Sequence, residues 1–249
     1  MKRFILIFSL VLMFGCDSDK ALDCIQAAGD IVQTEISVAP FSEIIVFERT
    51  QLFIQQGDEQ KVVVESGENL LNDIELKVTS NTLSIKNKNS CNLVRDYGLT
   101  KVYITSPNIS EIRSSTGLSI ESIGVLRFQE LRLISEDQYN EDEYHTDGDF
   151  IMNLEVDKLQ VIANGLSHFF LSGSATNAFF GLYSGDCKIE AASLLVQKLD
   201  LYHRSTNDMV VNPQQYIKGE IVSLGNVISK NRPPTVEVEE MYRGELIFE

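Results

Sequence analysis

Leu159-Gln160-Val161-Ile162-Ala163 runs into Asn164-Gly165, and the same form returns three times downstream. Phe179-Phe180-Gly181-Leu182-Tyr183 runs into Ser184-Gly185-Asp186, Leu199-Asp200-Leu201-Tyr202 into Ser205-Thr206-Asn207-Asp208, and residues 217–222 into Gly225-Asn226. The anchors Gly165, Gly185, Asp208 and Gly225 lie 20, 23 and 17 residues apart. After each kink a second short apolar segment begins, at His168, Cys187, Met209 and Val227. A unit of about 20 residues with two or three short strands and polar corners cannot bury its apolar face alone. It must stack on its neighbours, which is the requirement of a β-solenoid. The competing architecture is a β-sandwich of hairpins, for which the regular spacing is a coincidence.

Upstream, Thr116-Gly117 and Glu136-Asp137 continue the series at 20 residues. An insertion at 135–149 then stretches the next interval. The N-terminal half shows the same local chemistry without the period. Glu43-Ile44-Ile45-Val46-Phe47, Lys61-Val62-Val63-Val64-Glu65 and Lys101-Val102-Tyr103-Ile104 are short, β-branched and partly alternating, and Gln56-Gly57-Asp58, Ser80-Asn81 and Ser106-Pro107-Asn108 supply the turns. Only residues 69–73 suggest a brief helical turn, so the fold class is all-β. At the C-terminus, Pro233-Pro234 precedes a segment whose apolar residues alternate with acids from Glu237 to Glu249. This reads as a charged end strand that caps the stack.

These strand and turn patterns carry a resemblance. Pro40-Phe41-Ser42-Glu43-Ile44, residues 102–112 with Ser114-Ser115-Thr116-Gly117, Thr146-Asp147-Gly148-Asp149-Phe150 and Phe170-Leu171-Ser172-Gly173 resemble the auto-transporter adhesin, head GIN domain family, common among lipoproteins of Bacteroidota. The resemblance spans residues 41–249. It implies a right-handed, single-stranded parallel β-helix and brings no catalytic residues with it.

The N-terminus carries an address. Lys2 and Arg3 precede an apolar run from Phe4 to Phe14 that ends at Gly15-Cys16, the three-part form of a secretory signal. The run is too short to span a bilayer, which takes roughly 20 residues as a helix. Leu12-Met13-Phe14-Gly15-Cys16 resembles a lipobox, so residues 1–15 are expected to be removed and Cys16 to be acylated, with 16–30 a tether and 31–249 one domain. Acyl chains hold such a protein to a membrane, here expected to be the outer membrane, on its periplasmic or its surface side. Of the other cysteines, Cys24 and Cys91 are candidates for a disulfide, and Cys187, alternating with Ile189 and Ala191, reads as a core residue.

Composition and motifs narrow the function. A net charge of −15, from 21 basic and 36 acidic residues, repels phosphate backbones and excludes nucleic acid as a partner. The sequence holds no metalloprotease, nucleophile-elbow, redox or phosphate-loop motif. Its three histidines, His145, His168 and His203, fall at separate places in the repeat. Tyr183, Asp186, Tyr202, His203, Arg204 and Asp208, with Asp200, gather around neighbouring corners and are the candidate binding surface; they equally suit solvated Asx corners. The insertion carries seven carboxylates and no Lys or Arg. Asp142, Asp147 and Asp149 are weak candidate ligands for calcium, the one cofactor considered. The reading is a non-catalytic envelope lipoprotein for adhesion or ligand binding, with a glycan or an envelope protein as partner. The alternative is a polysaccharide-active β-helix enzyme.

Overall fold

Alternation of apolar and polar residues sets the architecture, because in a strand it sends every second side chain to the same face. The computed structural model describes residues 26–89, 96–137 and 144–249. The expected signal peptide, Cys16, Cys24, Cys91 and Asp142 lie outside the described residues. The strands are β1 (Ile31–Glu35), β2 (Glu43–Phe47), β3 (Thr50–Gln56), β4 (Lys61–Gly67), β5 (Ile74–Thr79), β6 (Thr82–Asn87), β7 (Thr100–Ser106), β8 (Glu111–Ser115) and β9 (Ile120–Ile123). They continue with β10 (Glu130–Ser135), β11 (Phe150–Ala163), β12 (His168–Leu182), β13 (Lys188–His203), β14 (Met209–Val211), β15 (Pro213–Ile221), β16 (Val227–Ser229), β17 (Thr235–Glu240) and β18 (Leu246–Phe248). Among the described residues they form one curled 18-stranded sheet. The only helical element among these residues is a 3-10 turn at Glu68–Asp73, where a brief helical turn is expected from sequence.

Two parallel ladders run the length of the sheet. The first stacks β6, β2, β8, β10, the C-terminal halves of β11, β12 and β13, then β15 and β17. The second stacks β7, β3, β9, the N-terminal halves of β11, β12 and β13, then β14, β16 and β18. Among the described residues, every pairing within 111–248 is parallel. Antiparallel pairs occur, among the same residues, only at the N-terminal end, where β5 lies on β6, and β4 and then β1 lie on β7.

The corners join the ladders by backbone hydrogen bonds from one kink to the next. Asp186 N donates to Gly165 O at 2.7 Å, Thr206 N to Gly185 O at 3.0 Å and Gly225 N to Ser205 O at 3.1 Å, so the sequence-spaced kinks stack in register. Between them lies one continuous apolar core, from Phe41, Ile44 and Leu52 to Met209, Ile217 and Val227. Gly219 occupies an inward position between Leu201 and Val238 at φ +144, and a Cβ there would sit 1.8 Å from Leu201 O. Only glycine allows that close approach.

Four features differ from expectation. β11, β12 and β13 run unbroken for 14, 15 and 16 residues through both ladders, because the chain bends between them without leaving the sheet. The chain lays its second rung first: β2 and β3 sit between the β6–β7 rung and the β8–β9 rung. The end of the expected tether is docked, since Glu68 N donates to Asp30 O, Asn69 N to Ala28 O, and buried Gln26 donates from Nε2 to Asn69 O. Finally, 235–249 is the last rung of both ladders rather than a cover over it: Val236, Met241 and Ile247 are 38, 61 and 37% exposed.

Candidate binding surface

The predicted corner residues meet in part. Tyr183 and Tyr202 leave the sheet on adjacent rungs and stack, with ring centroids 5.2 Å apart and planes 29° from parallel. Asp186 accepts from Thr206 Oγ1 at 2.6 Å, and Asp208 accepts from the Asn226 backbone at 2.8 Å and its amide at 3.2 Å. Each acid thus satisfies groups of the next corner, which is the Asx role the sequence also allowed. Arg204 is exposed.

His203 is a correction. The alternation that turns Tyr202 outward turns His203 inward, between Leu182 and Ile221, where it is fully buried. Burial holds its pKa down to about 4, against smaller upward pulls from Asp208 and from the Asn207 and Gly225 backbones beside the ring. It is a core residue and leaves the predicted surface. His168 begins β12 on the second ladder, remote from His203 in register, and His145 pairs with Glu48. Asp149 accepts the His168 backbone N–H at 3.1 Å, and Asp147 lies against Gly117. Among the described residues no three His, Cys, Asp or Glu side chains gather as metal ligands. Cys187 is buried and unbridged, as its alternation implies, and burial pushes its thiol up to about 12.

Sequence reasoning missed a second surface, on the outer face of the second ladder. Register aligns Tyr103, Phe53, Glu121, Ile151, Phe170, Glu190, Val210, Ile228 and Ile247 in one outward row along the stack. Ile151 and Phe170 are 45 and 40% exposed at its centre. They wall a groove of about 420 Å³ whose other side carries Asn153, Ser172 and Ser193. The groove has a cause in the backbone: β13 holds one extra residue between the partners of Phe170 and Ser172, and a bulge of this kind opens the pleat and re-aims side chains. His168 meets the Phe170 ring edge-on at 6.2 Å. Each nearby charge is engaged. Glu190 pairs with Lys188 at 2.5 Å, and Glu121 accepts from Ser119 at 2.6 Å and Gln51 at 3.0 Å. Glu121 and Glu190 stand three rungs apart, roughly 14 Å at the usual strand spacing. That exceeds the reach of a glycosidase carboxylate pair. The available signal was the doublet Phe169-Phe170, which places apolar groups on both faces of one strand.

The fold has counterparts among solved structures. A putative adhesin from Bacteroides fragilis is similar in structure with a TM-score of 0.77 at 18% identity, over 88% of this chain and 97% of that one. A putative adhesin from Parabacteroides merdae aligns with a TM-score of 0.62 at 15% identity, and a putative lipid binding protein from Parabacteroides distasonis with 0.61 at 16%, each over 88% of this chain and 97% of the other. At these identities the likeness is one of fold. No curated protein matches the chain. The family model described as putative auto-transporter adhesin, head GIN domain, matches residues 40–233, and the chain belongs to that family.

Proposed function

We propose that this protein is a non-catalytic binding module of the bacterial cell envelope, held by lipid on Cys16 and built as a right-handed parallel β-helix that presents the groove over Ile151 and Phe170. The observation that carries the reading is the groove itself. It offers exposed apolar side chains between polar rails, with its neighbouring charges already paired and its carboxylates too far apart to share a glycosidic bond. Family membership points the same way, toward the cell surface or envelope and an adhesive role. Parallel register through residues 111–248 supports the β-helix, and the Lys2-Arg3, apolar, Gly15-Cys16 sequence supports the anchor.

The test uses the full-length chain displayed on cells. Ile151→Ser with Phe170→Ser is expected to abolish attachment to the surfaces that the wild type binds, with surface level unchanged by antibody staining. Unchanged attachment removes the groove from the reading. Cys16→Ala is expected to eliminate acyl labelling and release the protein from the membrane fraction; retention in that fraction sinks the anchor.

A further inference from the structure

We propose that the groove takes an uncharged glycan strand, one sugar face resting on Ile151 and Phe170 while its hydroxyls meet Asn153 and Ser193. This deepens the binding-module reading and rests on it. Three observations select the ligand class. First, the apolar stretch inside the groove is short. Glu121 and Glu190 bracket Ile151 and Phe170 and set them apart from the rest of the row, so the groove's own dry patch spans two rungs, about the width of a ring-sized ligand.

Second, the polar rail is neutral and has capacity to spare. The Asn153 amide and the Ser193 hydroxyl make no hydrogen bond among the described residues, whereas Glu190 and Glu121 are committed to Lys188, Ser119 and Gln51. A uronate or a phosphorylated ligand would be desolvated with no free cation to meet it, at a cost the groove cannot offset. Third, an extended peptide adds along a free sheet edge, and here β12 is paired with β11 on one side and with β13 on the other, before and after the one bulge. A pyranose suits what remains. Its C–H face is apolar, its rim is hydroxyl, and neither carries charge.

The experiment is calorimetric titration of the full-length Cys16→Ala chain, which has no acyl group to insert into lipid and needs no detergent, with neutral hexasaccharides (β-glucan, mannan and chitin fragments), with an oligogalacturonate hexamer, and with phosphatidylcholine vesicles. At least one neutral hexasaccharide is expected to bind. Phe170→Ala and, separately, Asn153→Ala should each weaken it tenfold or more, with circular dichroism unchanged. Ser193→Ala, a smaller change, should weaken it less. The proposal fails if no neutral sugar binds, if the acidic hexamer binds as well or better, if vesicles take the Phe170 surface instead, or if the variants leave affinity intact. Loss of cell attachment in the groove variants without any sugar binding would leave the binding module standing and remove the glycan.

Discussion

The two ladders turn different residues into the same core. On the second, the inward row reads Val102, Leu52, Ile120, Phe150, Phe169, Ile189, Met209 and Val227, buried and apolar throughout. On the first, the row nearest the corners reads Ile85, Val46, Ser114, Ser135, Ala163, Leu182, His203 and Ile221. Parity decides which residues face inward in both. What they are is decided by their neighbours: the second row faces only other strands, while the first lies where the chain turns and must satisfy corner groups. Ser114 donates to Thr116 O at 3.3 Å, and Ser135 meets Ser167 at 2.6 Å. One row is therefore held by packing and the other partly by polar contacts.

The largest break should come in the packed row. Phe150 and Phe169 stack with centroids 4.8 Å apart, both fully buried. Phe169→Ala leaves a ring-sized void against a partner ring that cannot follow, and is expected to cost about 3–5 kcal/mol, read as a fall in the urea midpoint. A loss below about 1 kcal/mol would mean that the rungs slide to fill the space.

His203 should make the corner row pH-sensitive. Its folded pKa of about 4 lies below the ordinary 6.5, so the unfolded chain takes up a proton in a range where the folded protein cannot. The stabilisation is therefore complete above about pH 6.5, declines as pH falls toward 4, and declines no further from this source below it. The span corresponds to about 3 kcal/mol. Asp208 is the charged group that opposes the burial effect. Glu65, whose carboxyl is held low by Gln33 and Lys101, also loses stabilisation in acid, so wild type must be read against His203→Leu. Unfolding midpoints of the two proteins are expected to diverge between pH 6.5 and 4. Parallel curves would contradict the buried, neutral histidine.

The corners were legible because they carry their own chemistry: Gly165, Gly185, Asp208 and Gly225 mark positions that only turns tolerate cheaply, and the backbone bonds between kinks fall where their spacing puts them. The inward side of His203 was also legible, from Leu201 and Leu199 two and four residues before it. Grouping the residue with its corner instead of its parity hid it. The rung order of β2, β3, β6 and β7 was not legible, since residues 43–106 have no spaced kinks and the antiparallel strands β4 and β5 interrupt the parallel pairing. Nor was the groove, which depends on one extra residue in β13 and on side chains from three rungs that share a face only after stacking.

The smallest effect expected is at Ser135 and Ser167, and it separates polar ties from packing most directly. Both hydroxyls are fully buried and face each other across a corner, on β10 and in the kink before β12. Ser135→Ala removes one partner and strands the other, so the cost is the desolvation of the Ser167 hydroxyl, about 1–2 kcal/mol. Ser167→Ala should cost a similar amount for the same reason. The double variant leaves no buried hydroxyl without a partner, and its loss should be smaller than the sum of the two singles by about 1 kcal/mol, measured as a coupling energy in urea unfolding. Strict additivity would mean that each serine is held by something other than its partner. The corner row would then be packed in the same way as the Phe150–Phe169 row, and the contrast between the ladders would be one of side-chain size alone.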